Sequence, residues 1–173
     1  LVVIGDFDPA VVESKIKQHF ADWKAAPTPS APKAGPVDFA RKGLTEIYLD
    51  PALSENVSAT VNGPWLDEPD TAANRKLKLL RQIGYGIVNR RLQRLANGGS
   101  PPFRQASFST DDLFKAVRST NLSIDTGNGE WRKGLDAAVA EYRKAMKFGF
   151  TKAEVAEQVA NILTQVENTA ATA

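Results

Sequence analysis

The sequence has 173 residues, which at roughly 150 residues per domain suits one domain with little left over. Lys and Arg total 22 against 20 Asp and Glu, a net charge of only +2, which argues against a protein that coats nucleic acid through bulk charge. There are no cysteines and one histidine, His19, so disulfides, zinc fingers, iron–sulfur sites, thiol nucleophiles and multi-histidine metal clusters are excluded.

Residues 1–7 (LVVIGDF) are a short apolar run ending in Gly5-Asp6 and read as a strand. Asp8-Pro9 predicts a helix start, with Asp8 as cap and Pro9 in the first turn. Val12, Ile16 and Phe20 then follow at helical spacing, as one buried stripe. Residues 25–36 hold four of the ten prolines and read as a stiff connector. Residues 44–50 and 55–62 alternate and read as strands separated by an Asp50-Pro51 turn. A long helix is predicted from about Thr71 to Ala96, ended by Gly98-Gly99. Gly84 and Gly86 inside it imply a kink or the close approach of another backbone.

Residues 103–109 and 113–125 read as two strands joined at Thr110-Asp111-Asp112. The second changes phase between Val117 and Leu122, which predicts a bulge. A third helix carries Trp131, Leu135, Ala138, Val139, Tyr142 and Met146 on its apolar face and stops at Gly149. Thr151 and Glu154 have capping-box spacing at the start of a fourth. That helix is expected to cover the sheet or the third helix. The fold class is α+β: a mainly antiparallel sheet of at least four strands, the last one central, with helices packed on one face.

Candidate sites are few. His19 has neither a second imidazole nor clustered carboxylates beside it and is read as structural. Asp6, Asp8, Asp67, Glu68, Asp70, Asp111 and Asp112 are explained by turns and helix caps. Gly98-Gly99 follows a helix, whereas phosphate-cradling glycines precede one. Residues 71–110 carry Arg75, Lys76, Lys78, Arg81, Arg90, Arg91, Arg94 and Arg104 and no acid. This stretch is either a surface for nucleic acid or acidic peptide, or a solvated face paired with acids elsewhere in a larger protein. No catalytic, metal or cofactor-binding residue is assigned.

Three segments together resemble the pitrilysin/insulinase family of zinc metallopeptidases, which includes relatives of mitochondrial processing peptidase. They are VVIGDFDPAVVESKIKQHFADW, then NRRLQRLANGG followed by PFRQASFS, and last GEWRKGLDAAVAEYRKAMKFGFTKAEVAEQVANI. The resemblance implies a metallohydrolase-like repeat domain spanning residues 1–173, a fragment of a larger multi-domain peptidase. The family's inverted zinc motif, His-x-x-Glu-His, is absent, so the chain resembles the second, non-catalytic domain of the N-terminal half. Zinc is then expected in the parent's catalytic domain and no cofactor in this fragment. The implied partners are that catalytic domain and the peptide substrate enclosed by the parent. A membrane or nucleic acid is not an expected partner, and the bacterial periplasm or cell envelope is the location the family suggests. Some members offer an Arg and a Tyr to substrate. Those positions read Ala96 and Phe103 here, so no such role is carried over. The alternative is a stand-alone module whose basic helix binds acidic peptide or nucleic acid.

Overall fold

The computed structural model describes residues 2–24, 30, 35, 37–41 and 43–172. The chain divides into two compact units, Leu1–Gly35 and Pro36–Ala173.

The first unit is built around helix α1, Pro9–Phe20. Asp8 caps it as expected, its Oδ1 accepting the Ala10 N–H at 2.8 Å. Val12 and Ile16 are only half-buried, and the Phe20 ring sits 5.6 Å from Trp23. Residues 2–7 form no strand. A strand exists only by pairing, and the described part of this unit holds no partner. Most of the proline connector lies outside the described residues.

The second unit runs β1 (Asn56–Pro64), α2 (Ala72–Ala96), β2 (Gln105–Leu113), β3 (Val117–Asp125), α3 (Trp131–Phe148) and α4 (Lys152–Ala171). The fold is α+β, with an antiparallel sheet in the order β1-β3-β2 and β3 central. The sheet has three strands among the described residues, not four or more. Residues 44–50 alternate but form no strand among the described residues. Leu44 and Tyr48 fall on one side of that alternation, Ile47 and Leu49 on the other, so no register buries the apolar set.

The β2–β3 turn lies at Phe114–Ala116 rather than at residues 110–112. The ladder from Leu113↔Val117 to Gln105↔Asp125 is unbroken. The apparent phase change is therefore no bulge: Val117 simply faces away from Leu122. Asp112, read as a turn residue, is a ladder residue whose carboxylate accepts two bonds from Arg118 at 2.8 and 3.0 Å.

One sheet face carries the core. Ala106, Phe108, Leu122 and Ile124 meet Val88 and Leu92 of α2 and Ala138 and Ala145 of α3, with Phe103 beneath. The buried stripe of α3 is Gly134, Ala138, Glu141 and Ala145, rotated from the expected face, and Met146 is exposed. Small residues let α3 lie close to the sheet. A Cβ on Gly134 would come within 2.5 Å of Thr126 Cγ2 and 3.3 Å of Ile124 Cγ2. Gly134→Ala is therefore expected to destabilise by about 1–2 kcal/mol, the overpacking outweighing the better helix propensity of Ala. Urea denaturation measures it. A variant more stable than the parent sequence would mean that α3 can back away from the sheet freely.

A second tie closes the sheet's far end. Glu55 accepts from the Thr126 hydroxyl and the Gly129 N–H, both at 2.9 Å. The Gly129 bond is the main cause holding the Glu55 carboxyl below its ordinary range.

The capping box of α4 forms as the sequence predicts. Thr151 Oγ1 accepts the Glu154 N–H at 3.3 Å, and Glu154 accepts the Thr151 N–H at 2.8 Å. Gly149, at φ 67°, ends α3 just before it. Unlike the expectation, α4 packs along α2 rather than over the sheet or α3. That contact explains the α2 glycines. The Phe150 ring lies 3.5 Å from where a Gly84 Cβ would be, and the Gln158 side chain fills the space beside Gly86. Side chains approach there, not a backbone.

Candidate functional site

The basic stretch is the densest polar feature of the sequence, and the structure resolves its two readings. Arg75 pairs with Asp70, Arg81 with Glu68, Arg90 and Arg94 with Glu157, Arg91 with Glu141 and Glu154, and Arg104 with Asp125. Among the described residues only Lys76 and Lys78 of the eight lack an ion pair. The arginine bonds hold the Asp70 and Glu68 carboxyls below their usual values. The stretch is a face paired with acids, and those acids belong to this same chain.

Arg91 is the hub. Its Nε and Nη2 donate to the two Glu154 oxygens at 2.6 and 2.8 Å, and Nη2 also donates to the Gly149 carbonyl at 3.2 Å. Nη1 stands 3.5 Å from Glu141 of α3. The guanidinium lies 5.4 Å from the Phe150 ring centroid. One side chain thus joins α2, α3, the α3–α4 junction and the α4 cap. The Arg91 bond, helped by the Thr151 N–H, pulls the Glu154 carboxyl down to about 2. Sequence reasoning saw Arg91 only as one of many cations and missed Glu141. The available signal was an acid at i+3 from Ala138 on an otherwise small, buried stripe.

Asn89 was also missed. Its side chain donates to the Phe108 carbonyl at 3.0 Å and accepts the Phe108 N–H at 2.8 Å. It thereby satisfies backbone groups on the outer edge of β2, the kind of edge that otherwise invites another strand. Beside it, Tyr85, Phe108 and Tyr142 form an aromatic row with centroids 5.4 and 5.3 Å apart.

The remaining candidates do not converge. His19 is exposed on α1. Among the described residues no three His, Asp or Glu side chains are placed to share a metal ion. A zinc ion would want three or four nitrogen, sulfur or carboxylate donors around one point, and His19 has no such companions, so the donor set does not fit zinc. Asp8 is a cap, and Glu68, Asp70 and Asp112 are arginine partners. Phe103 is 2% exposed in the core and cannot touch a substrate; Ala96 is half-buried.

Two open surfaces remain. A groove of about 740 Å³ between α2 and the hairpin is lined by Lys78, Arg81, Tyr85, Asn89, Thr110 and Arg118, with Arg81 and Arg118 already paired to Glu68 and Asp112. Another, of about 620 Å³, is lined largely by Asn, Gln and Arg side chains. The sheet face away from the helices is polar on four successive rungs, from Asn56–Asp125–Gln105 through Ser58–Ser123–Ser107 and Thr60–Asn121–Ser109 to Asn62–Ser119–Asp111. No helix of the described residues is long and apolar enough to cross a membrane.

Comparisons with known proteins bear on this arrangement. The family model described as the Peptidase M16 inactive domain matches residues 1–162. A search of curated proteins finds no match. Among solved structures, the periplasmic protease PqqL from Escherichia coli superposes with a TM-score of 0.65 at 15% identity, covering 95% of this chain and 18% of that one. The first half of the same protease gives 0.64 at 16% identity, covering 95% and 35%. A predicted insulinase family protease from Yersinia pestis gives 0.64 at 15% identity, covering 97% and 36%. The chain thus spans 18% to 36% of the length of these structures, and at such identities the likeness speaks for the fold.

Proposed function

The chain belongs to the Peptidase M16 inactive domain family, and from that premise we propose that it is the non-catalytic, substrate-enclosing domain of a pitrilysin-like zinc metallopeptidase. The family match over residues 1–162 carries the reading. In this reading residues 1–173 are one domain of a longer protein. Another domain supplies the His-x-x-Glu-His motif and the zinc, and this one supplies wall and support. Zinc there would activate water for peptide hydrolysis; no residue of this chain takes part in that step.

Two features support the roles. Four successive rungs of the polar sheet face offer an extended peptide many small hydrogen-bonding groups. On α4, Leu163 and Val166 are 56% and 59% exposed at helical spacing with Val159, which suits a face covered by another domain. The envelope location is supported by the periplasmic protease PqqL, which is among the structures the chain resembles. The alternative of a basic module for acidic peptide or nucleic acid is disfavoured, because the arginines of α2 are already paired with acids of this chain and only Lys76 and Lys78 are left without an ion pair among the described residues.

The purified chain is expected to hydrolyse no peptide and to retain no zinc after dialysis. Metal analysis decides. Zinc bound one-to-one, and lost on His19→Ala, would overturn the assignment.

A further inference from the structure

The tip of the β2–β3 hairpin is built against the ordinary chemistry of turns. Leu113 to Ala116 close a β-turn, the Ala116 N–H donating to the Leu113 carbonyl at 2.9 Å. Its central residues, Phe114 and Lys115, have φ of 51° and 54°. Residues with a Cβ avoid this region for steric reasons, and turns with two such positions normally carry Asn-Gly or Asp-Gly. Phe114 is 97% exposed, so packing within the chain does little to offset the strain.

A second observation lies beside it. The polar face of the sheet ends, at this tip, in one apolar rung: Pro64, Val117 and Leu113, side by side across the three strands. Four polar rungs thus give way to an apolar one just where the strained turn exposes an aromatic ring.

We propose that this tip is a docking knob, with Phe114 and the Pro64–Val117–Leu113 rung seated in an apolar depression on a neighbouring domain of the same polypeptide. The inference rests on the reading above that the chain is one domain of a longer peptidase. This chain matches only 18% to 36% of the length of the solved structures that share its fold, which leaves room in such a polypeptide for a neighbouring domain. A second copy is the poorer occupant. The two grooves described above are lined largely by polar and charged side chains and offer a phenyl ring no apolar seat. Strain held at an exposed aromatic is the pattern of a recognition element, in which an anchor residue carries much of the binding.

The test pairs Phe114→Asn/Lys115→Gly with Phe114→Ala, each in the 173-residue chain and in the full polypeptide that carries it. In the chain alone, the Asn-Gly variant should raise the melting midpoint by about 3–6 °C by relieving two strained residues. Phe114→Ala should leave that midpoint unchanged, since the ring is free. In the full polypeptide both variants should lower the midpoint of the shared transition, or split it, and speed proteolysis between domains. If the full polypeptide melts as one unit and both variants behave there as they do in the chain alone, the knob is refuted while the multi-domain reading stands. If this region melts independently of the rest even with Phe114 in place, the multi-domain pairing itself fails, and the knob with it. A concentration-dependent dimer of the chain alone, abolished by Phe114→Ala, would assign the tip to a second copy and overturn the proposal.

Discussion

Arg91→Ala is expected to lower the stability of the chain by about 3 kcal/mol, because it strands Glu154 without its cation and leaves Glu141 only Lys144, 3.3 Å away. The Arg91, Glu141 and Glu154 side chains are 17%, 10% and 15% exposed, so water can replace the guanidinium only in part. The loss should not stop at charge. Arg91 also binds the Gly149 carbonyl and lies over Phe150, so the whole α3–α4 junction loosens. Arg91→Lys keeps the charge but cannot form the two parallel bonds to Glu154, and should fall between the two. Denaturant titration measures all three.

The same pair sets an acid limb. The folded Glu154 carboxyl titrates near 2, below its usual 4.5. A group depressed in the folded state stabilises fully above its unfolded value and loses that contribution as protons bind. Stability should therefore fall between about pH 4.5 and pH 2. In Arg91→Ala this fall should flatten, because the main cause of the depressed value is gone. An acid limb of equal steepness in both proteins would place the pH dependence in other carboxylates.

Leu92→Ala, one residue along the same helix, should cost about 2–5 kcal/mol by an unrelated route. Leu92 is 0% exposed and lies in the cluster with Phe103, Leu122 and Ile124. Truncation removes buried methyl groups and leaves a cavity that the close-packed sheet and α3 cannot collapse to fill. Leu163→Ala on α4 provides the contrast. Leu163 is 56% exposed, so its loss should change the midpoint of the chain alone by no more than about 0.5 kcal/mol. A Leu92→Ala protein with the wild-type midpoint would contradict the core described above.

The elements legible in the sequence are those with local chemistry of their own. Asp8-Pro9 marks the start of α1, Thr151 and Glu154 mark the start of α4, and Gly149 marks the end of α3. Each signal acts within one helical turn, so no distant partner is needed to read it. What the sequence hid depends on partners far along the chain. Thr110-Asp111-Asp112 has the composition of a hairpin turn, while Phe114-Lys115, where the turn lies, does not. Asp112 belongs to the ladder because Arg118 lies across from it, a cross-strand relation that local composition does not reveal. Residues 44–50 alternate like a strand, yet pairing, not alternation, makes one. Glu141 has a local partner in Lys144, but its link to Arg91 crosses to α2 and leaves no local mark. The basic stretch was counted correctly, but its neutrality depends on Glu154 and Glu157, which only folding brings alongside. The family resemblance was legible because it rests on the order of whole segments, and the family match spans them.

The central claim is that this chain supports a peptidase without performing the chemistry. It is tested most directly by following cleavage of an extended fluorogenic peptide by three samples: this chain, the part of the parent carrying His-x-x-Glu-His, and the two together. The chain should give no cleavage, the catalytic part weak cleavage, and the two combined a large gain. Cleavage by the chain alone, or full activity of the catalytic part without it, would contradict the account.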